Sequence, residues 1–330
     1  MKKFLAIMHA RNMEFFRDRG TFIWNLLFPL FLVFGFAFAF GGDGEDLFNV
    51  GTVGEAPQSL EFTELDHINF VPYDDLDEGL ERLRFHQVDL LVDFRAADYY
   101  VNEESTNGYM SEQLFAAMAG ENFSRRTVSG QPIRYVDWFV PGLIGMNIMF
   151  SGLFGVGFVL VRYRKNGVLK RLKATPVSPL EFVSAQVASR FLIVFVSSVV
   201  VFAGANAFLN FMMRGSYLNL VLVAMLGIIC MISLGLVFAS RIRTEELASG
   251  LINLLLWPMI ILSGVFFSLE GTPEFMQVAA GFLPLTHFIG AARGIMLEGA
   301  GFVEIMPNLL ALTGFTGGFL VLASLLFRWE

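Results

Sequence analysis

The sequence predicts an all-α polytopic membrane protein: six transmembrane helices, an extracytoplasmic α/β domain between helices 1 and 2, and a re-entrant segment between helices 5 and 6. Composition is the first indication, since 55% of the 330 residues are hydrophobic and only 16% are charged, against about 25% in ordinary soluble domains. The second is the spacing of the charges. Six stretches of at least 23 residues contain no Asp, Glu, Lys or Arg: 20–42, 138–161, 191–213, 215–240, 247–269 and 305–327.

Each charge-free stretch is long enough to cross a bilayer, because a helix needs about 20 apolar residues to span the hydrocarbon. A helix in lipid also satisfies its own backbone hydrogen bonds, so six spanning helices are the simple interpretation. The alternative, a large soluble core, would use shorter helices. The first stretch, 20–42, is too long and starts too late for a signal peptide, and we expect it to be a retained transmembrane helix.

Residues 1–19 form a separate element ahead of the first span. Their apolar side chains fall near one face of a helix, with Lys and Arg elsewhere: Phe4, Leu5, Met8, Phe15 and Phe16. This pattern predicts a cytoplasmic, interfacial amphipathic helix. The sequence leaves open a second interpretation, an ordinary cytoplasmic helix packed on the loops.

The basic residues fix the predicted orientation. Residues 1–19 carry five Lys and Arg, the loop 162–173 carries six, and Arg241 and Arg243 follow the fourth span. All of these segments, with every one of the five lysines, fall on one side if six helices alternate. The positive-inside rule then places both termini in the cytoplasm of a multi-pass cell-membrane protein, and residues 43–137 become extracytoplasmic.

Residues 43–137 are long enough to form a domain and hold 20 Asp and Glu against six Arg. A solvated surface is the simplest explanation of this acidity; repulsion of anionic substrates or cation binding are alternatives. Asp75 and Glu78 have capping-box spacing ahead of leucines at helical period. We expect a small α/β domain with strands and a further helix at Asn49–Val53, Val88–Phe94, Tyr99–Asn102 and Ser111–Phe123.

The sequence argues against several sources of energy. Proton- or sodium-driven pumps often keep an ionisable group inside the membrane, and none of the four charged residue types occurs in the six stretches. An ion site built only from the backbone of broken helices is the alternative that this pattern leaves open. A phosphate-binding Walker A loop needs a Gly-Lys-Ser/Thr run, yet none of the five lysines follows a glycine. We therefore expect no catalytic residues, no metal, and no cofactor bound directly; if ATP is used, a partner subunit holds it with its magnesium.

The loop between spans two and three, within 162–185, is the most informative stretch. Gly167 should end the second span, and Val168–Ala174 can form a short helix with Leu169 and Leu172 on one side and basic residues around the rest. Thr175-Pro176 stops that helix, because the residue before proline avoids helical geometry. Ser178, Pro179 and Glu181 have the spacing of a capped start for the next helix. On these grounds alone, a rigid transmission element and a simple topology anchor are equally good explanations.

Residues 167–179, which read GVLKRLKATPVSP, closely resemble the signature of type-2 ABC exporter permeases, including the daunorubicin-resistance type. Arg17-Asp18 before a span containing Pro29, the run from Leu262 to Phe267, and Leu283-Pro-Leu-Thr286 followed by Arg293 agree with that family. The resemblance runs essentially from end to end. It implies that the loop carries a coupling helix, which docks on a separate ATPase subunit.

The resemblance also implies roles for individual residues. For ATPase coupling these are Gly167, Leu169, Lys170, Arg171, Leu172, Thr175, Pro176 and Glu181, with the two leucines entering an apolar groove of the ATPase. For the transport pathway, where helices two and five of two permease subunits would face each other, they are Asn147, Phe150, Asn253 and Trp257. For the outer gate and the re-entrant segment within 270–300 they are Phe266, Phe267, Pro284 and Thr286.

Together these features predict the permease subunit of an ATP-driven ABC exporter, with transmembrane helices 2–6 within 138–330. The implied cargo is an amphipathic or hydrophobic small molecule, a drug or a lipid, moved outward as in multidrug efflux. The expected partners are an ABC ATPase, a second permease subunit (identical or not) and membrane lipid, with no nucleic acid. The alternatives are a permease for a polymer or an ion, and a non-transporting membrane scaffold with an external binding domain.

Overall fold

The computed structural model describes residues 2–39, 48–54, 61–65, 67–119, 123–130, 134–242, 244–266 and 273–326. The chain divides into two compact units. One unit comprises Met1–Ala37 and Val136–Glu330, and the other comprises Phe38–Tyr135.

The first unit is helical within the described residues. Two of its helices precede the second unit in the chain: α1 (Lys2–Arg17) and α2 (Arg19–Ala39). The others follow it: α5 (Tyr135–Gly152), α6 (Val159–Lys165), α7 (Val168–Lys173), α8 (Pro179–Leu209), α9 (Tyr217–Arg241), α10 (Glu245–Leu262), α11 (Glu274–Gly281), α12 (Pro284–Arg293) and α13 (Met306–Leu326). Two π-helical segments, Leu153–Phe158 and Gly294–Glu298, continue α5 into α6 and extend α12.

Five helical segments among the described residues are long and apolar enough to cross a membrane: Val136–Lys165, Glu181–Leu209, Tyr217–Arg241, Glu245–Leu262 and Met306–Leu326. They coincide with predicted spans two to six, and the described part of the first predicted span, residues 20–39, lies in α2. The chain is therefore a multi-pass membrane protein, while the total number of spans stays a prediction. The segment predicted to re-enter is a helix pair bent by 92°, Phe275–Gly281 with Pro284–Glu298.

The capped helix start predicted at Ser178 is confirmed: α8 starts at Pro179, the Ser178 hydroxyl accepts from the Glu181 N–H, and Glu181 returns the capping-box bond. The charge-free stretch that starts at residue 191 therefore begins inside this helix. The fifth span ends earlier than the charge-free stretch 247–269, since α10 ends at Leu262. Gly264 follows with φ of 71°, the left-handed conformation that ends helices and that glycine adopts at little cost.

Helix α9 lies at the centre of the first unit and packs on α13, on α8 and on the π segment Leu153–Phe158. Gly152 and Gly235 let the backbones come close: a methyl group on Gly235 would sit 3.0 Å from the Gly152 carbonyl oxygen. Small residues at helix crossings are how membrane helices gain van der Waals contact when lipid offers no hydrophobic drive.

Helix α1 packs against α8. Arg11 and Phe15 are buried on that side, whereas Leu5, Met13 and Phe16 are exposed. The Ser189 hydroxyl donates to the Asn12 side-chain oxygen at 2.5 Å. One face is therefore docked on the protein, and the exposed apolar side chains remain available to a membrane surface, so α1 combines features of both interpretations left open by the sequence.

The second unit is a five-stranded sheet with helices on both faces. The strand order is β2-β1-β3-β4-β5, with β3 and β4 antiparallel and the other neighbours parallel. The strands are β1 (Phe48–Val53), β2 (Ile68–Tyr73), β3 (Leu90–Asp93), β4 (Asp98–Asn102) and β5 (Ser124–Val128); the helices are a 3₁₀ turn (Glu61–Glu64), α3 (Leu76–Arg84) and α4 (Thr106–Ala119).

Two apolar cores hold this sheet. Phe62 of the 3₁₀ turn and Phe115 of α4 pack over Val50 and Leu90, while Leu83 of α3 packs with Leu91 on the other side. The predicted β1, β3 and β4 are confirmed, as is Asp75 at the start of α3, where its carboxylate accepts from the Asp77 N–H. The edge strands β2 and β5 were missed. The placement of residues 43–137 outside the cell stays a prediction.

Candidate ATPase-coupling site

The short helix α7 is separated from α6 by two residues, Asn166 and Gly167. Helix α6 ends at Lys165, and Gly167 has φ of 68°, in the left-handed region. A side chain there would be strained by its own backbone even though no neighbour lies within 4 Å. The predicted break at Gly167 and the helix after it are therefore confirmed, and α7 runs Val168–Lys173.

The basic face of α7 is open and its apolar face is partly closed. Lys170, Arg171 and Lys173 are exposed, Leu172 is half-buried, and Leu169 is only 1% exposed. The expectation that Leu169 enters a groove of the ATPase is thus wrong, because its side chain is already buried within this chain. Leu169 anchors α7 to the rest of this chain, and Leu172 is the leucine that remains partly accessible.

The segment after α7 is a tight, self-capped connection to α8. The Thr175 hydroxyl donates to the Leu172 carbonyl at 2.6 Å, so this carbonyl in the last turn of α7 has a hydrogen-bond partner. Pro176 follows, and the Ser178 N–H donates to the Glu181 carboxylate at 3.0 Å. Ser178 caps α8, a helix of 31 residues, so only residues 174–177 separate α7 from the start of that helix.

The end of α6, just ahead of α7, is tied to α9 and α10. The Arg164 guanidinium donates to three carbonyls at the end of α9: Ala239 at 2.9 Å, Ser240 at 3.2 Å and Ile242. A guanidinium at a helix C-terminus meets the unpaired carbonyls and the negative end of the helix dipole. Lys165 lies 3.7 Å from Glu245 at the start of α10. The loop 162–185 is therefore joined to three long helices.

Helix α1 reaches the same loop. The Lys3 ammonium donates to the Pro176 carbonyl. Further along, the Glu14 carboxylate pairs with Arg11 at 2.7 Å and with Arg162 at 3.1 Å, and accepts from the Tyr163 hydroxyl. Burial alone would raise the pKa of Glu14, but the Tyr163 hydrogen bond and the two arginines lower it overall. Glu14 is thus held ionised as the centre of a cluster that docks α1.

A cavity of about 550 Å³ lies between α1, α2, α8 and the helix that runs from α5 into α6. Its charged lining consists of Arg11, Glu14, Asp18, Arg162 and Arg190. The remaining lining is mostly aromatic or aliphatic: Phe15, Phe28, Pro29, Leu143, Met146, Phe150, Phe154, Phe158 and Val159. A cavity of this size, apolar with a few convergent polar groups, is typical of small-molecule sites.

Arg190 corrects the expectation that no charge lies inside the spans. It lies within the candidate span Glu181–Leu209 and is 6% exposed. Its Nε donates to the Ser151 carbonyl at 2.8 Å, and its guanidinium lies 5.5 Å from the Phe15 ring centroid. Among the described residues, no carboxylate pairs with it. Charged residues inside a membrane are costly, so their presence points to function.

The four predicted pathway residues separate into two pairs. Asn147 and Phe150 line the cavity, and the Asn147 amide nitrogen is buried without a hydrogen-bond partner. Asn253 and Trp257 lie on α10 and do not line it; Asn253 donates to Ser249 of its own helix, and Trp257 is 61% exposed. The structure of one chain therefore brings together only the first pair.

The described gate residues lie on α12 and on the turn after α10, two elements that a second arginine joins. Phe266 packs on Phe139 with ring centroids 5.7 Å apart, and Pro284 starts α12, with Thr286 in its first turn. Phe267 lies outside the described residues. Arg293, at the end of α12, donates to the Trp138 and Gly264 carbonyls and stacks on the Trp138 ring at 3.5 Å. These contacts join the bent segment to α5 and to the turn after α10.

The sequence model of ABC-2 family transporter proteins matches residues 19–325. The chain belongs to the ABC-2 transporter family. It is 26% identical to the inner membrane transport permease YhhJ of Escherichia coli, over 77% of this chain and 76% of that protein. It is 27% identical to the linearmycin resistance permease protein LnrN of Bacillus subtilis, over 49% of this chain and 42% of the relative. A probable multidrug ABC transporter permease of E. coli, YbhS, is 20% identical over 53% and 47%.

Membership confirms the sequence-based identification of an ABC-2 permease. Two features of this ABC-2 protein were nevertheless missed: the Glu14 cluster and the buried Arg190. A signal for the second was present, because the capped start at Ser178 places Arg190 three turns into α8 rather than ahead of a span. The first had no local signal, since Glu14 and Tyr163 are far apart in the chain.

Proposed function

We propose that this chain is the membrane-spanning subunit of an ATP-driven exporter that moves an amphipathic or hydrophobic small molecule outward. ATP hydrolysis falls to a separate ATPase, which docks on the loop 162–185 from the cytoplasm. A second permease subunit, identical or not, completes the pathway. Both termini are cytoplasmic and residues 43–137 face the outside.

The observation that carries this proposal is the construction of the coupling loop. Helix α7 presents three exposed cations and the half-buried Leu172, while Leu169, Arg164 and Ser178 fix it to the body of the permease. An anchor that only sets topology needs basic charge alone. Connection of the loop to α8, α9 and α10 is what a transmission element requires. The drug and multidrug names of the relatives support an amphipathic cargo.

The test compares Leu172→Asp with Lys170→Ala in the permease expressed with its cognate ATPase. The buried centre of an interface contributes more binding energy than its solvated rim. Leu172→Asp should therefore abolish co-purification of the ATPase and substrate-stimulated ATP hydrolysis, at a cost of several kcal/mol in the contact. Lys170→Ala should cost about 1 kcal/mol or less.

Leu169→Ala is the matched control for the two faces of α7. Leu169 is buried inside the permease, so this change should lower the thermal stability of the isolated subunit, whereas Leu172→Asp should not. Intact ATPase binding and hydrolysis in a correctly inserted Leu172→Asp protein would remove the coupling role from this loop. The absence of any ATPase in the wild-type preparation would instead favour the scaffold.

A further inference from the structure

The cavity beside Arg190 combines three arginines with a mostly apolar lining. Its lining runs along one continuous helix from Leu143 to Arg162, a stretch that rises about 28 Å. Arg190 and Arg11 contact this helix near its middle, at Ser151 and Gly155, whereas Leu143, Met146 and Phe28 are apolar. This combination matches a molecule with a charged head and an apolar tail.

The carboxylates of the cavity do not neutralise Arg190. Glu14 is engaged by Arg11, Arg162 and Tyr163, which leaves Arg190 with the Ser151 carbonyl and the face of Phe15. A buried cation without a carboxylate is expensive unless a ligand supplies the opposite charge. The guanidinium is the side chain best suited to carboxylate or phosphate, since it offers five donors in a planar fork.

The backbone around Arg190 is built to hold it. The helix from α5 to α6 passes through a π segment over Leu153–Phe158, and single π turns in α-helices are frequent at functional sites. Gly155 lies in this segment, and a methyl group placed on it would meet the Arg190 Nε at 1.8 Å. Glycine thus makes the room that the guanidinium occupies. The Gly155 carbonyl accepts from Arg11 at 3.3 Å, so one π turn positions two of the arginines.

We propose that this cavity binds an amphiphile through its anionic headgroup, with Arg190 as the principal opposite charge, the Asn147 amide as an additional donor and Phe28 and Phe150 around the tail. This proposal deepens the proposed function by naming the charge of the amphiphile, and it rests on the proposed function only in assuming that the bound molecule is then moved outward. Binding of a lipid needs no ATPase, so it can be measured in a protein that is not coupled to ATP hydrolysis.

The experiment measures binding of lysophosphatidylglycerol to the full-length permease, purified in a non-ionic detergent, with lysophosphatidylcholine of the same chain length as the zwitterionic probe. The anionic lipid should bind more tightly than the zwitterionic one. Arg190→Gln should weaken its binding about tenfold to a hundredfold, as expected for loss of a charge-assisted contact, and Arg190→Lys should retain part of the affinity. Arg241→Gln, which removes an exposed cation at the end of α9, is the control of equal charge and should change nothing.

Asn147→Asp keeps the test decisive if Arg190→Gln fails to fold. It is nearly isosteric and adds a negative charge at the cavity wall, so it should weaken the anionic lipid and leave the zwitterionic one unchanged. Equal affinity for the two lipids, or unchanged affinity in both Arg190→Gln and Asn147→Asp, would overturn the proposal.

Competition with inorganic phosphate distinguishes an amphiphile from a free anion. Phosphate should not displace the lipid; displacement by phosphate at comparable concentration would show that the site binds the free anion and would overturn the proposal of an amphiphile. Normal lipid binding in a Leu172→Asp protein that has lost its ATPase would separate the two proposals.

Discussion

Two regions of the helical unit each bury an arginine, and they use it differently. At the end of the bent segment, Arg293 is partly buried, donates to two carbonyls of other elements and stacks closely on Trp138. At the cavity, Arg190 is more deeply buried but makes one hydrogen bond and a looser contact with Phe15. The contacts of the first arginine hold elements of the fold together. The second retains unused hydrogen-bonding capacity beside an open volume, and on this difference we base the proposal of a ligand site.

The largest expected effect that tests this contrast is on stability. Arg293→Ala removes two charge-assisted hydrogen bonds and a cation–π contact and leaves two carbonyls unpaired, which should cost about 3–5 kcal/mol. Arg190→Gln removes a poorly compensated buried charge and should be neutral or stabilising. The midpoint of thermal unfolding in detergent measures both. A larger loss in Arg190→Gln than in Arg293→Ala would reverse the assignment of the two roles.

The contrast also shows where sequence reasoning succeeds. Local signals sufficed for Gly167, for the stop at Pro176 and for the cap at Ser178, because each acts through its own backbone or its near neighbours. The same holds for β1, β3 and β4, which are apolar and central or nearly so. The edge strands β2 and β5 were missed because neither looks like an apolar strand. Strand β2 contains Pro72, which sheets accept mainly at an edge, and β5 contains two arginines, a common way of protecting an edge.

The features that the sequence did not predict depend on tertiary contacts. Leu169 and Leu172 look alike in the sequence, and only packing decides that Leu169 is buried in the permease and that Leu172 remains accessible. Arg190 was not singled out, because the spans were identified by their charge-free runs and Arg190 lies just before the run 191–213. Its burial requires the space beside Gly155, which lies on a different helix. The pattern of apolar residues within α8 cannot indicate that this space exists.

The second test sharpens the contrast at Gly155. Gly155→Ala should force Arg190 out of its position, because the added methyl would overlap the guanidinium, and overpacking of this kind costs about 1–3 kcal/mol. Anionic lipid binding should fall with it. Gly250→Ala in α10 is the matched control, since nothing lies within 4 Å of the added methyl; it should be stabilising by about 0.5–1 kcal/mol. Equal behaviour of the two alanine variants would show that Gly155 makes no room for Arg190.

The smallest expected effect is the response of the Glu14 cluster to low pH. Glu14 pairs with Arg11 and Arg162 and not with Arg190. The pKa of Glu14 is lowered in the folded protein, against the effect of burial, by Tyr163 and the two arginines. A carboxyl group with a lowered pKa contributes stability that is present above its ordinary pKa and lost as pH falls through the folded value. Docking of α1 should therefore weaken only under acid conditions, below the ordinary glutamate range of about 4.3.

Replacing Tyr163 by Phe should move that loss to higher pH, because the carboxylate loses a hydrogen bond that favours its charged form. A spin label on Met13→Cys, an exposed position of α1, would report the release of the helix as increased mobility, in a background where the buried Cys230 is replaced by Ala. The same label on Val303→Cys, which is exposed and far from Glu14 in the chain, should show no pH dependence over this range. If the mobility of the Met13 label rises at the same pH in the wild type and in Tyr163→Phe, then Glu14 does not hold α1 in place. In that case the Glu14 cluster would not explain why Arg11 and Arg162 are paired while Arg190 is not.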